Sequence, residues 1–122
     1  MARSILLVDD DADVRMTLRD VLEEQGFTVH AAHDGRHALH VLEKIAPPDL
    51  ILLDYKMPVM TGKQFLSIQR GMPKLHAVPV VILSAATREW SGAHLEVEEV
   101  LSKPIDVEVL LNTVNRICAT EL

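Results

Sequence analysis

The chain has 122 residues, 48% of them hydrophobic and 25% charged, which is the composition of one globular domain and excludes disordered and fibrous proteins. Its 18 acidic residues outnumber 12 basic ones and no stripe of Lys and Arg stands out, so direct binding to nucleic acid is not expected. A single cysteine, no signal-like opening stretch and no apolar run near the roughly 20 residues of a membrane span favour a cytoplasmic protein.

Strand-like and helix-like patterns alternate along the chain, which predicts βα units around a parallel sheet. The apolar run from Ile5 to Val8 predicts a first strand that is buried on both faces. Apolar residues at helical spacing from Val14 to Leu22 predict a helix that stops at Gly26. The weaker pattern at Val29 to Ala31 predicts an edge strand.

Two more helices are predicted in the middle of the chain. The first is indicated by apolar residues at positions 38, 39, 41 and 42, follows a turn at Asp34-Gly35, and ends near Pro47-Pro48. The second is shorter, includes Phe65 and Ile68, and closes at Gly71.

The remaining pattern predicts three strands and a last helix. The strands are Leu50 to Leu53, Val78 to Leu83 and Val100-Leu101. Thr87 to Val97 has no clear apolar period, so a short or irregular helix is expected there. Apolar residues from Val107 to Ile117 predict an amphipathic helix with Asp106 as its N-cap.

Each long apolar run ends in a polar signature. Asp9-Asp10 follows the first strand, Asp54 the third, Ser84 the fourth and Lys103-Pro104 the fifth. Because the carboxyl ends of parallel strands meet at one edge of a sheet, where open α/β sheets bind ligands, these side chains are expected to converge.

The three converging carboxylates need a cation, since like charges raise one another's pKa. A set of oxygen ligands suits a hard divalent ion, and Mg²⁺ typically uses one or two carboxylates, waters and a phosphate oxygen. Lys103 supplies a further positive charge. The sequence therefore predicts an Mg²⁺ site beside an ammonium group.

These residues, with Met57-Pro58 and Gly62 behind Asp54 and Ala85 behind Ser84, make the chain resemble the receiver domain of two-component response regulators. The resemblance covers essentially the whole chain, 1–122, as one domain. It implies a flavodoxin-like, doubly wound parallel sheet of five strands in the order 2-1-3-4-5, with about five helices and a short or irregular fourth.

The resemblance also implies a role for each site residue. Asp54 is the nucleophile, which accepts a phosphoryl group from a phosphohistidine of a sensor histidine kinase or phosphotransfer protein. Mg²⁺ is held by Asp9, Asp10, Asp54 and the backbone carbonyl of Lys56, while Lys103 and the Ser84 hydroxyl contact phosphoryl oxygens. The Lys103-Pro104 bond is expected to be cis.

Further implications concern partners. Phosphorylation would change the conformation and control an output protein or an attached output domain, without turnover of a substrate as in an enzyme. The last two strands and helices are the usual pairing face of the family, which leaves a homodimer open.

One position departs from the family pattern. Val100 stands where receiver domains usually carry Tyr or Phe, the side chain that turns inward on phosphorylation. The interval from Ser84 to Lys103 is also short for the family. An atypical output is therefore predicted, with Trp90 and Tyr55 as candidates to replace the aromatic switch.

Two other functions compete with this interpretation. A phosphatase of the haloacid dehalogenase type also places an Asp after its first strand, with a second two residues later, as Asp9 and Asp11 are; there the first-strand Asp is the nucleophile. A phosphorylation-independent interaction module is disfavoured because the acceptor, metal and lysine positions are all intact.

Other polar clusters have simpler explanations. Asp11 and Asp13 suit the positive end of a helix dipole, and their spacing fails as a calcium-binding loop because Val14 replaces the required Gly. Histidines at positions 33, 37 and 40 are expected to lie on a solvated helix face, since no further ligand has suitable spacing.

Overall fold

The structure is a computed structural model that describes residues 3–85 and 97–119. Its strands are β1 (Ser4–Val8), β2 (Thr28–Ala32), β3 (Leu50–Asp54), β4 (Val80–Ser84) and β5 (Glu99–Ser102). Its helices are α1 (Ala12–Glu24), α2 (Gly35–Leu42), α3 (Gly62–Arg70) and α4 (Val107–Ala119). None of the helices in the described ranges is long and apolar enough to cross a membrane.

The strands form one parallel sheet in the order β2-β1-β3-β4-β5, which confirms the predicted topology. β2 lies at an edge, as its weak apolar pattern predicted. The helix predicted within Thr87 to Val97 falls almost entirely outside the described residues, as does Trp90, and the described part of the chain contains four helices.

Helices cover both faces of the sheet. Alternate residues of the inner strands pack against α1 and α4 on one face and against α2 and α3 on the other. The first face carries Ile5, Leu7, Leu50, Leu52, Val81 and Leu83, and the second carries Leu6, Val8, Ile51, Leu53, Val80 and Ile82. Because both faces are dry, these strands read as continuous apolar runs. Truncating one such Leu to Ala typically lowers the free energy of unfolding by about 2–5 kcal/mol. Burial of these side chains on both faces therefore holds each strand in its register, and the register sets where the strand ends.

Three predicted boundaries shift. The second predicted helix, expected to end near Pro47-Pro48, ends at Leu42 with Glu43 as its C-cap. The other two shifts have local reasons. Gly35 lies inside α2 instead of a preceding turn, because the Asp34 side chain accepts a hydrogen bond from the His37 N–H at 2.7 Å and caps the helix. β4 begins at Val80 and not at Val78, since Pro79 has no N–H to donate to the sheet.

The predicted N-cap of the last helix is in place. The Asp106 side chain accepts hydrogen bonds from the N–H groups of Glu108 and Val109, at 2.9 and 3.2 Å. Asp11 caps α1 in the same way, accepting from Asp13 and Val14. Both helices therefore start directly behind a strand end, and their first turns lie close to that edge of the sheet.

The loop between β3 and α3 makes a tight turn. Val59 has φ 69°, a left-handed conformation that is unusual for a β-branched residue. The Met60 N–H donates to the Pro58 carbonyl at 2.7 Å, which closes a γ-turn around Val59. A strained turn is therefore held immediately beyond β3.

Gly62 brings the start of α3 against the end of β3. Its N–H donates to the Tyr55 carbonyl at 2.8 Å. A Cβ at this position would lie 2.9 Å from Tyr55 Cα and 3.0 Å from the Asp54 carbonyl oxygen, so only glycine permits this close approach.

Replacing this glycine tests the close approach. Gly62→Ala should lower the free energy of unfolding by about 1–3 kcal/mol, because the added methyl overlaps backbone atoms of Asp54 and Tyr55. Gly71→Ala is the matched control: its Cβ meets nothing nearer than the Ile68 carbonyl oxygen at 3.5 Å, so a change below about 0.5 kcal/mol is expected. Urea unfolding measures both, and equal stabilities of the two variants would contradict this packing.

Candidate functional site

The polar residues that follow the apolar runs meet at the carboxyl edge of the sheet. Asp54 ends β3 and Ser84 ends β4, while Asp9 and Lys103 come directly after β1 and β5. The strand register pairs Asp54 with Leu83 and Ser84 with Ser102, so these ends lie at nearly the same height.

Asp9, Asp10 and Asp54 form an acidic cluster. Each offers a carboxylate oxygen, and these oxygens lie within 4.8 Å of one another. Asp9 and Asp54 are buried, whereas Asp10 is exposed to solvent. Within residues 3–85 and 97–119 this is the only group of three or more acidic, His or Cys side chains so arranged. Its purely oxygen donors and open side fit a hydrated hard cation such as Mg²⁺.

Lys103 lies between the two buried carboxylates. Its Nζ is 2.8 Å from Asp9 Oδ2 and 3.3 Å from Asp54 Oδ2. Burial by itself lowers the pKa of Lys103, but the hydrogen bond and charge of Asp9 and the charge of Asp54 outweigh it and leave the pKa above its ordinary value. Lys103 is therefore a permanent cation within this site.

The negative charge of an ionised Asp54 is only partly compensated by nearby positive charge. Burial, followed by the negative charge of Asp9, raises the pKa of Asp54 to about 7, and Lys103 opposes this rise only in part. The fold thus disfavours the Asp54 carboxylate until further positive charge arrives. A cation bound by the acidic cluster supplies such charge, which is the physical reason that these residues fit Mg²⁺.

The raised pKa predicts how stability depends on pH. Below pH 3.8 Asp54 is protonated in both the folded and the unfolded chain, and its contribution to stability is fully present in metal-free buffer. Between pH 3.8 and about 7 the unfolded chain loses this proton while the folded chain keeps it, so the contribution is lost as the pH rises. Since one pKa unit corresponds to about 1.4 kcal/mol, Asp54→Asn should exceed the parent in free energy of unfolding by roughly 1–3 kcal/mol at neutral pH.

The control for this comparison is Asp20→Asn, which removes an exposed carboxylate from α1. Urea unfolding in the presence of a chelator, repeated between pH 4 and 8, gives the difference between each variant and the parent. The difference for Asp54→Asn should grow with pH and should exceed that for Asp20→Asn at neutral pH. A difference for Asp54→Asn that shrinks as the pH rises would refute the raised pKa.

Ser84 and Lys56 complete the set of predicted site residues. Ser84 is buried at the end of β4, and its carbonyl accepts a hydrogen bond from the Lys103 N–H at 2.8 Å. The peptide bond that follows Lys103, between Lys103 and Pro104, is cis as predicted. Lys56 lies two residues beyond Asp54 with an exposed side chain, and the role of its carbonyl as a metal ligand stays a prediction.

Arg15 is a site residue that the sequence analysis did not identify. Its Nη1 donates a hydrogen bond of 2.7 Å to the backbone carbonyl of Asp9, although Arg15 lies in the second turn of α1. The apolar period of α1 gives no sign that this side chain turns back toward the strand end. Arg15 is half-buried, whereas Arg19 on the same helix is exposed, and the sequence pattern does not distinguish these two arginines.

The other polar clusters do not add to the site. Asp11 is an N-cap, as expected. His33 precedes α2, so it does not share a helix face with the other two histidines; its ring lies 4.3 Å from that of His37, which is half-buried. His40 is exposed and pairs with Glu43 at 3.8 Å. These residues belong to no candidate metal group in the described part of the chain.

Comparisons with known proteins agree with this geometry. The chain matches the response regulator receiver domain family over residues 5–115. It is 37% identical over 116 residues to the transcriptional regulatory protein CpxR of Escherichia coli K12, a match that covers 93% of this chain and 48% of CpxR. The sensor histidine kinase TmoS of Ectopseudomonas mendocina is 31% identical over 121 residues, which cover 97% of this chain and 12% of the kinase.

A solved structure shows the same fold over nearly all of both chains. The chemotaxis response regulator CheY4 of Vibrio cholerae matches with a TM-score of 0.88 and 32% identity, covering 96% of this chain and 99% of CheY4. The chain therefore spans almost the whole of CheY4 but about half the length of CpxR. It belongs to the response regulator receiver domain family, the phosphoacceptor domains of two-component signalling.

Proposed function

We propose that Asp54 is the residue of this chain that accepts the phosphoryl group, from a phosphohistidine of a sensor histidine kinase or a histidine phosphotransfer protein. The observation that carries the proposal is the position of Lys103, whose Nζ lies 3.3 Å from Asp54 Oδ2 beside the carboxylates of Asp9 and Asp10. A carboxylate between a fixed cation and a cluster of metal-ligand type is suited to attack a phosphoryl group.

The transfer exchanges a phosphorus–nitrogen bond for a phosphorus–oxygen bond. An Asp54 carboxylate oxygen forms a bond to phosphorus, and the bond between phosphorus and the donor imidazole nitrogen breaks. The imidazole keeps that electron pair, and the product is an acyl phosphate on Asp54. Lys103 counters charge on one phosphoryl oxygen, and the Ser84 hydroxyl donates a hydrogen bond to another.

Asp9, Asp10, Asp54 and the carbonyl of Lys56 are the groups that would hold Mg²⁺. When bound, Mg²⁺ supplies positive charge that favours the Asp54 carboxylate and offsets the charge of the phosphoryl oxygens. Formation of the acyl phosphate removes the charge of Asp54 itself. Lys103 then keeps its ion pair with Asp9 while its second partner becomes the phosphoryl group.

The hydrogen bonds of the Asp9 carboxylate disfavour the phosphatase alternative, in which this residue would be the nucleophile. Asp9 is 0% exposed, and both of its carboxylate oxygens are engaged, by Lys103 Nζ at 2.8 Å and the Asp11 N–H at 2.9 Å. We therefore infer a phosphoacceptor that is modified once per signal and does not turn over a small substrate.

The partners follow from the chemistry of transfer. A phosphohistidine donor must reach the carboxyl edge of the sheet, and the acyl phosphate must then alter a surface that an output protein or an attached output domain reads. CpxR is about twice as long as the matched region, so either arrangement is compatible with the relatives. A cytoplasmic location and a homodimer both stay predictions.

The output surface is expected to switch without the usual aromatic side chain. Val100 is half-buried and packs against the same core cluster as Tyr55, which directly follows Asp54 in the chain. These two observations support the proposal that Tyr55 takes part in the response to the acyl phosphate. Chemical-shift changes at β5 on phosphorylation should differ from those of a receiver with an aromatic residue at this position; matching changes would contradict the atypical switch.

Labelling by a small phosphodonor tests the acceptor directly. Incubation with acetyl phosphate and Mg²⁺ should add one phosphoryl group to the parent chain, and peptide mass spectrometry should locate it on Asp54. Asp54→Asn should abolish the label, and Asp20→Asn, in which an exposed carboxylate of α1 is removed, should label like the parent. A label on Asp9 would favour the phosphatase, and no label on the parent would favour the interaction module.

A further inference from the structure

The Asp9-Asp10 dipeptide poses a geometric problem. Neighbouring side chains on a β-strand project to opposite faces of the sheet. The carboxylates of Asp9 and Asp10 nevertheless offer oxygens within 4.8 Å of each other and of Asp54. The backbone must therefore leave the strand conformation directly after β1 ends at Val8, and some contact must hold it there.

Arg15 makes that contact. Its Nη1 donates to the Asp9 carbonyl oxygen at 2.7 Å. This carbonyl and the N–H of Asp10 belong to one planar peptide unit, so fixing the carbonyl also fixes the plane from which Asp10 leaves the backbone. The guanidinium thus acts on the single peptide that links two carboxylates of the acidic cluster.

The remaining polar groups of Asp9 are engaged by other partners. The Asp9 N–H donates to the Ala32 carbonyl at 3.1 Å, and its carboxylate accepts from the Asp11 N–H and from Lys103 Nζ. Arg15 completes this set by binding the carbonyl. Asp9 is therefore held through backbone and side chain alike. The side chain of Asp10 has a hydrogen bond with that of Asp54, and its backbone follows the plane of the peptide before it.

The position of Arg15 in the helix makes this bond possible. The Arg15 N–H donates to the Asp11 carbonyl at 2.9 Å, and Asp11 caps α1, so the start of the helix is tied to the loop that follows β1. From there the half-buried side chain extends back over the strand end. Arg19, one turn further on, pairs with Glu23 at 3.5 Å and is 47% exposed.

We propose that Arg15 is a positioning residue of the Mg²⁺ site, which holds the Asp9-Asp10 peptide so that both carboxylates face the cation. This inference rests on the proposed function, since it assumes that the acidic cluster binds Mg²⁺. It makes a prediction opposite in sign to simple electrostatics. Removing a nearby positive charge should by itself strengthen cation binding, whereas removing the contact that orients the ligands should weaken it.

The test compares Arg15→Met with Arg19→Met, which removes the same charge from the same helix. Calorimetric titration of the unphosphorylated chain with Mg²⁺ measures the dissociation constant of each variant. Arg15→Met should bind about 10–100-fold more weakly than the parent, the usual loss when a contact that orients metal ligands is removed. The dissociation constant of Arg19→Met should stay within about 2-fold of the parent's, because the charge of the exposed Arg19, one turn further along α1, is largely screened by water and salt.

Two further measurements separate positioning from general loss of structure. Urea unfolding in the presence of a chelator shows whether each variant is folded under the titration conditions, so that the dissociation constant refers to folded protein. Arg15→Lys keeps the positive charge and N–H groups that can donate to the Asp9 carbonyl, so it should bind Mg²⁺ more tightly than Arg15→Met. If Arg15→Met does not fold, Arg15→Gln takes its place and the same weakening is expected.

Three outcomes overturn the proposal. Binding by folded Arg15→Met that equals or exceeds the parent's affinity shows that the peptide needs no such contact. A loss no larger than that of Arg19→Met shows that the contact between Arg15 and the Asp9 carbonyl has no specific part in Mg²⁺ binding. A parent that binds no Mg²⁺ overturns the proposed function as well, whereas a parent that binds Mg²⁺ and is labelled on Asp54 leaves that function intact and isolates any failure to Arg15.

Discussion

One ammonium group between two buried carboxylates is the interaction on which the site depends. Lys103 Nζ lies 2.8 Å from Asp9 Oδ2 and 3.3 Å from Asp54 Oδ2, and Asp10 belongs to the same acidic cluster. One positive charge does not neutralise three negative ones, so the cluster keeps a deficit of positive charge. Burial, followed by the charge of Asp9, raises the pKa of Asp54, and the deficit of positive charge makes the site attract a divalent cation and then a phosphoryl group.

The rest of the fold holds this unfavourable cluster together. The inner strands are buried on both faces, and the stability of that apolar core offsets the cost of placing like charges at one edge. The close contact at Gly62 sets the start of α3 against the backbone of Asp54, and Arg15 ties α1 to the end of β1. The first turns of α1 and α3, on opposite faces of the sheet, are therefore in contact with the strand ends that position the site residues.

Much of this arrangement could be predicted from the sequence, and the reason is physical. Apolar runs that are buried on both faces identify parallel strands, and such strands align their carboxyl ends, so Asp9, Asp54 and Lys103 had to meet. Contacts that depend on side-chain direction or on strained backbone were not predictable. The periodicity of α1 does not reveal that Arg15 turns back to the strand, and the preference of β-branched residues for negative φ argues against the turn observed at Val59.

The most direct measurement is a titration of the Asp54 carboxyl carbon by nuclear magnetic resonance, with and without Mg²⁺. The charge deficit of the cluster predicts a pKa of about 7 for Asp54 in the metal-free chain and a clear fall in that pKa when Mg²⁺ is added. A carboxyl group that titrates at its ordinary value of 3.8 in metal-free buffer and does not respond to Mg²⁺ would contradict the central role given to this charge deficit.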